Sequence, residues 1–376
     1  KNEDRIYYRV ILIPNQRRPM MRKIRLLIFA ILLLTFSCKE DKNPTAPLAY
    51  PKAEEQNINS VQLEEAFSSA RADGGVLSLI VARNNIVVAD EYFIVDRVDT
   101  TNNIRSVTKS VLSALISIAI DKGFINSIND EIGPYLKIDA GELDDEKDKI
   151  TIKQLLTMSA GFPWQELDAS ATDYVKWAQA GNQVDYVLAL PIVNPPGTVF
   201  TYNSGASHLL SVILEIATGK STYKFAREFL FRPLGITRSL EWSVDKQEYY
   251  NGSSTLRLGP HEMLRFGLLF LNNGFADGKQ ILSSDWVQLS TRPHITTSDA
   301  VPFGTDYGFL WWTGSTSNRD FYFANGWGGQ FIVNVPDLNL TVVAQSDWAA
   351  GGRPAHEQWW NTINIIMNQI LPAVRK

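Results

Sequence analysis

The run from Val107 to Ala119, Val-Thr-Lys-Ser-Val-Leu-Ser-Ala-Leu-Ile-Ser-Ile-Ala, constrains the fold more than any other stretch of this chain. Its spacing predicts a helix that is apolar on every side, broken only by small hydroxyls and one lysine, and such a helix belongs inside a protein rather than on its surface. A helix of that kind needs layers of structure around it. With 376 residues, 45% hydrophobic and 11% aromatic, the chain can supply them as one large domain or two intertwined lobes.

Around this helix the periodicities change from one end of the chain to the other. Val61 to Asp73 reads as a helix, and Val76–Ala82 and Ile86–Tyr92, joined by Arg83-Asn84-Asn85, read as a β-hairpin. Thr151–Met158 reads as a short capped helix ending at Ala160-Gly161, and residues 162–200 as a loop-rich segment. Helices follow at Tyr202–Gly219, Thr222–Phe231, Pro260–Leu271 and Ser284–Ser290. Strands return at Tyr307–Thr313, Phe321–Ala324, Gln330–Val335 and Leu340–Gln345, and a last helix covers about 355–370. Strands at both ends with helices between them predict an α+β fold, an α/β sandwich. Its antiparallel sheet is formed from both termini and flanked by helices, with a mostly helical lobe inserted over about 120–300.

The first residues stand apart from this pattern. Met20-Met21-Arg22-Lys23-Ile24-Arg25, the apolar run Leu26–Leu34 and then Thr35-Phe36-Ser37-Cys38 have the form of a signal peptide, with an apolar segment too short to span a bilayer comfortably. Residues 1–19 read as an upstream extension, so that 1–37 form extension plus signal peptide, 38–55 a tether containing the Pro- and Ala-rich stretch 43–51, and 56–374 the main domain. Cys38 is the only cysteine and sits where a bacterial lipoprotein precursor is cut, although Thr35 departs from the usual leucine. The expectation is an exported protein of the bacterial envelope, in the periplasm or at the cell surface, held to the membrane by a lipid on Cys38. Residues 1–37 carry eight Lys/Arg and two Asp/Glu, so without them the net charge falls from −4 to −10. An acidic surface of that kind argues against nucleic-acid binding and against electrostatic membrane contact.

Three elements carry chemistry. The first is Ser106-Val107-Thr108-Lys109 at the mouth of the apolar helix. Residues at i and i+3 share a helix face, and a neutral lysine there can accept the serine proton. The positive end of the helix dipole and apolar surroundings both disfavour the ammonium. Ser-x-x-Lys recurs at Ser221…Lys224 and Ser243…Lys246, but Ser221 reads as an N-cap after Gly219 and Ser243 lies in a polar loop. On its own, the first motif leaves catalysis and an incidental polar pair both open. The second element is Pro195-Pro196-Gly197 followed by Tyr202-Asn203-Ser204, which places Tyr202 and Ser204 at the beginning of a helix. A tyrosine beside a lysine should have its phenolate favoured and could relay protons; an ordinary tyrosine capping a helix fits the same residues. The third element is Ala324-Asn325-Gly326-Trp327-Gly328-Gly329-Gln330 between two strands. Glycines there admit close approach of backbone to ligand, and a backbone N–H at this edge could join that of Ser106 around an oxyanion; a plain tight turn is the alternative.

Other chemistries fit poorly. There is no Gly-x-Ser-x-Gly, and His261-Glu262 and His356-Glu357 each lack a second histidine, so neither an α/β-hydrolase elbow nor a zinc motif is expected, and no metal or cofactor is called for.

In the order Ser-x-x-Lys, Tyr-x-Ser, Gly-rich strand edge, residues 60–370 resemble the serine β-lactamase-like superfamily, which includes class C β-lactamases, D-alanyl-D-alanine carboxypeptidases, esterases and 6-aminohexanoate-oligomer hydrolases. Leu155–Gly161, Pro233-Leu234-Gly235-Ile236 and Gly328-Gly329-Gln330 add to the likeness. The resemblance implies a β-lactamase/transpeptidase-like fold and an acyl-enzyme hydrolase of small ester, amide or peptide-like substrates. It implies Ser106 as nucleophile, Lys109 as base, Tyr202 as proton shuttle and Ser204 as the third residue of the second motif. The third motif, Lys-Thr-Gly in β-lactamases, falls on Ala324-Asn325-Gly326, with the Trp327 N–H as second oxyanion donor. Tyr-x-Ser in place of Tyr-x-Asn, and the missing lysine, point to the esterase and oligomer-hydrolase branch. Were another cation to take the lysine's place, Arg319 and Arg353 are candidates. The alternatives are an inactive cell-wall-binding lipoprotein and a true β-lactamase or DD-peptidase.

Overall fold

The structure is a computed structural model and describes residues 50–94, 100–140, 144–167, 172–316, 319–347 and 354–375. The leader, Cys38, most of the tether, and Arg353 lie outside them.

Eight strands form one antiparallel sheet: β1 Val76–Arg83, β2 Ile86–Tyr92, β3 Ile295–Val301, β4 Gly304–Tyr307, β5 Trp312–Thr316, β6 Arg319–Gly326, β7 Gln330–Val335 and β8 Leu340–Ser346. Their order across the sheet is β2-β1-β8-β7-β6-β5-β4-β3, so the N-terminal hairpin pairs with the last strand, as expected. Side chains alternate between the two faces of a strand, and β7 shows what covers each. Ile332 and Asn334 face the helix Pro260–Leu271: a Cβ on Gly267 would lie 2.7 Å from Ile332 Cγ2, and Asn334 Nδ2 donates to the Gly267 carbonyl at 3.0 Å. Phe331 points the other way, onto Trp359 of the C-terminal helix Ala355–Asn364, with ring centroids 5.6 Å apart. Both faces are therefore covered by helices, and the N-terminal helix Ser60–Asp73 packs beside the C-terminal segment.

The apolar helix, Val107–Asp121, is buried continuously from Val107 to Ala119. It packs against the helix Ser204–Thr218 and against β6, and Ser110 Oγ donates to the Leu310 carbonyl at 2.7 Å. Ser110 is thus a hydrogen-bonding point inside the core, whereas the hydroxyls of Thr108, Ser113 and Ser117 are buried there without a hydrogen-bond partner.

Four local expectations change. The run 307–313 is two strands, β4 and β5, because Gly308 approaches the Ser290 carbonyl and Leu310 turns into the left-handed region (φ 60°). Residues 295–301 add a strand whose Thr-Thr-Ser-Asp sequence carries no apolar alternation, as befits the sheet edge. The loop-rich segment 162–200 contains two short helices, Thr172–Gln179 and Gln183–Leu188, the second capped by Asn182. Tyr202 precedes its helix instead of opening it: Asn203 is the N-cap, its Oδ1 accepting from Ala206 N at 2.8 Å, and the helix begins at Ser204.

Candidate active site

The chain enters the apolar helix through a tight bend. Asn102–Asn103 pairs with Arg257–Leu258, Asn103 Oδ1 accepts from Arg105 N at 2.8 Å, and Arg105 takes φ 51°, an uncommon conformation for a non-glycine residue. Ser106 then sits at the N-cap, where a serine ordinarily spends its hydroxyl on a helix N–H. Here it makes no cap hydrogen bond. Its Oγ instead lies 3.0 Å from Lys109 Nζ.

Lys109 is 1% exposed, and its amine has two further neighbours, Ser204 Oγ and the Ser253 carbonyl, each at 3.0 Å. Burial pulls its pKa down to about 8, against the opposing pull of the Glu166 carboxylate. The amine is therefore available in its neutral form at mildly alkaline pH. The Ser253 carbonyl is held by a polar loop: Asn251 Oδ1 accepts from the N–H groups of Ser253 and Ser254, both at 2.9 Å. Beneath it His208 Nδ1 accepts from Gly252 N at 3.3 Å, which fixes the tautomer with a proton on Nε2, 2.9 Å from Asp245 Oδ2.

Tyr202 stacks on Trp312 (5.5 Å, 26°), lies edge-on to Tyr307, and hydrogen-bonds Ser106 through its phenol. Lys109 Nζ lies 4.8 Å above the centre of its ring. The expectation of a favoured phenolate is overturned: burial, reinforced by the Glu166 charge, holds the phenol far above its ordinary pKa, and only its bond to Ser106 opposes this. Tyr202 is a neutral phenol.

Ser204, expected on the second motif, accepts from Lys109 and donates to Glu166 Oε1 at 2.5 Å. Glu166 was not picked out in the sequence. It sits in the loop after Trp164, 38 residues from Ser204, and no periodicity links the two. Its Oε2 also accepts from Ser204 N and from Trp164 Nε1, each at 2.8 Å.

The third motif borders the same place. Gly326 is required there because a Cβ would lie 2.5 Å from the Ile104 carbonyl and 3.2 Å from Arg105 Cβ. That contact brings the end of β6 against the backbone just before Ser106. Asn325 Oδ1 accepts from Trp359 Nε1 at 2.5 Å, while Trp327 stands 46% exposed at the rim. These groups open onto a cavity of about 420 Å³ whose lining includes Ser106, Tyr202, Glu166, Tyr174, Trp327 and Trp359. Arg105 and His356 are the basic side chains on its wall; Arg319 is not part of it.

Residues 63–365 match the family model described as Beta-lactamase. The 6-aminohexanoate-dimer hydrolase of Paenarthrobacter ureafaciens is 23% identical, over 72% of this chain and 72% of its own. Among solved structures, a Bacillus anthracis protein provisionally named as a 6-aminohexanoate-dimer hydrolase superposes with a TM-score of 0.69 at 20% identity, covering 82% of this chain and 83% of that one. The β-lactamase/D-alanine carboxypeptidase of Yersinia pestis, complexed with citrate, superposes with a TM-score of 0.65 at 17% identity, covering 86% and 99%. The fold, the antiparallel sheet built from both ends, and the family match agree: this chain belongs to the β-lactamase family and is a hydrolase.

Proposed function

We propose that the protein hydrolyses ester or amide bonds through an acyl-enzyme on Ser106. The observation that carries this reading is the buried Lys109 amine, 3.0 Å from a serine hydroxyl that caps no helix and held at a pKa of about 8. As Ser106 Oγ attacks the substrate carbonyl, Lys109 takes its proton. The oxyanion forms beside the backbone N–H groups of Ser106 and Trp327, and stabilisation of this kind is worth about 3–4 kcal/mol per donor. Tyr202 gives its phenolic proton to the departing oxygen or nitrogen and regains one from the Lys109 ammonium. A phenol held neutral by burial yields its proton only to a strong base, which a leaving alkoxide or amide nitrogen is. Water then attacks the acyl group, Lys109 accepts one of its protons and returns it to Ser106 Oγ as the ester bond breaks, and the carboxylic acid leaves with Ser106 restored.

Tyr202→Phe keeps the ring, its stacking on Trp312 and its burial. It should lower kcat by about 10²–10⁴-fold, the usual contribution of a positioned proton donor. Steady-state rates on an alkyl ester such as ethyl butyrate, whose alkoxide must be protonated as it leaves, check this, and a kcat within threefold of wild type would remove Tyr202 from the mechanism.

The cavity favours acyl groups without a carboxylate next to the bond that breaks. At the β6 edge, where a β-lactamase carries its lysine, stand Ala324 and Asn325, and the Asn325 side chain is engaged with Trp359. A charged hydrogen-bond partner there would contribute about 1.5–3 kcal/mol, roughly ten- to a hundredfold or more in rate. Aromatic walls from Tyr174, Trp327 and Trp359 suit an apolar or extended chain instead. The kcat/KM for nitrocefin should therefore lie at least about 10²-fold below that for short-chain p-nitrophenyl esters. Efficient nitrocefin turnover would contradict this specificity and point to Arg105 as the carboxylate's partner.

A further inference from the structure

Three donors converge on Glu166: the Ser204 hydroxyl on Oε1, and the Ser204 N–H and the Trp164 indole on Oε2. A carboxylate ringed by donors only accepts, so the single hydroxyl proton of Ser204 is committed to Glu166. What Ser204 Oγ can offer Lys109 is then a lone pair. The Ser253 carbonyl, the second neighbour, also only accepts. A neutral amine has two protons and one lone pair. Both protons are used on Ser204 and Ser253, and the remaining neighbour, Ser106 Oγ at 3.0 Å, meets the lone pair. Ser106 must then donate to Lys109, and the neutral Tyr202 phenol supplies the proton that Ser106 Oγ accepts.

We propose that Glu166 is a positioning residue that sets the direction of these hydrogen bonds, through Ser204, so that the Lys109 lone pair faces the Ser106 proton. This rests on the reading of Ser106 and Lys109 as nucleophile and base. Without the carboxylate, Ser204 can turn its proton toward Lys109, and the amine can then spend its lone pair on Ser204 and donate to Ser106 instead. That arrangement has the same distances and the wrong proton. Glu166 has a second, electrostatic effect. Its charge favours the Lys109 ammonium, against burial. The other titratable or charged groups lining this cavity are Tyr202, Tyr174, Arg105 and His356, with Tyr307 behind Tyr202. Replacing Glu166 with glutamine removes the charge that raises the Lys109 pKa against its burial.

The test uses the full chain, p-nitrophenyl butyrate and a fluorophosphonate probe, on wild type, Glu166→Gln, Ser204→Ala and the double variant. Glu166→Gln should lower kcat by about 10- to 100-fold, part of the ~10²–10⁴ that proton transfer contributes, with KM within about twofold. The acid limb of its kcat/KM profile should move to lower pH. Because both residues act through one chain of hydrogen bonds, the double variant should lose no more than Ser204→Ala alone. A kcat within twofold of wild type, an unmoved limb, or additive losses would each overturn the proposal. Should Glu166→Gln not fold, Ser204→Ala carries the test, and wild-type kcat in it overturns the proposal equally. Wild type labelled on Ser106 with Glu166→Gln unchanged overturns this inference alone; turnover without an adduct on Ser106 overturns the reading beneath it as well.

Discussion

Replacing Ser106 with alanine should abolish ester turnover, lowering kcat on p-nitrophenyl butyrate by on the order of 10⁴-fold or more, as loss of a nucleophile does elsewhere. The residual rate would come from whatever binding and oxyanion stabilisation survive. The fold should hardly notice. Ser106 caps nothing, and removing its Oγ costs its hydrogen bonds with Lys109 and Tyr202 at the edge of a cavity, about 1–2 kcal/mol in all. A melting temperature close to that of wild type together with lost turnover is the expected pair of results. Residual activity near wild type would place the nucleophile elsewhere.

Lys109→Met should be nearly as damaging to rate, at least about 10³-fold in kcat, since it removes the base while keeping an unbranched side chain of similar length. Its effect on stability separates the chemistry from the packing. In the folded protein Lys109 has a pKa of about 8 against the ordinary 10.5. The folded pKa is the lower one, so between pH 8 and 10.5 the unfolded chain binds more protons and wild-type stability rises with pH. Below about pH 8 the buried lysine costs the fold about 3 kcal/mol. Methionine relieves that cost but leaves the Ser253 carbonyl and Ser204 without a donor, a loss of about 1–3 kcal/mol. The two nearly cancel at pH 7. At pH 10 most of that cost is gone and above pH 10.5 only the loss remains, so the variant should be the less stable. Denaturant titrations of both proteins at pH 7 and pH 10 check this; a stability difference that does not change with pH would mean that Lys109 is not held neutral by its burial.

The parts of this site that follow helix and strand periodicity were readable in the sequence. Ser106 and Lys109 are three residues apart on a helix whose burial its own composition announces, and their contact follows from helix geometry. The hairpin Val76–Tyr92 and the strands β6 to β8 alternate or run apolar as strands do. The rest depends on how distant segments meet. Glu166 is an acid in an irregular loop, and only the fold brings it to Ser204. The Ser253 carbonyl is backbone and has no residue signature at all. Tyr202 illustrates a different limit: its neighbour Lys109 was foreseeable, but the sign of its pKa shift was not, because the aromatic enclosure by Trp312 and Tyr307 outweighs what a nearby amine does. The two helices after Glu166, eight and six residues long, are too short to establish a helical period in the sequence; Trp177 is the buried anchor of the first.

In this mechanism Ser106 is the residue acylated. Treating the protein with a fluorophosphonate probe at pH 8, then digesting it and mapping the adduct by mass spectrometry, tests this most directly. One adduct per chain is expected, on the peptide containing Ser106, absent in Ser106→Ala and much slower to form in Lys109→Met. An adduct on any other residue, or none from a protein that turns over esters, would contradict it.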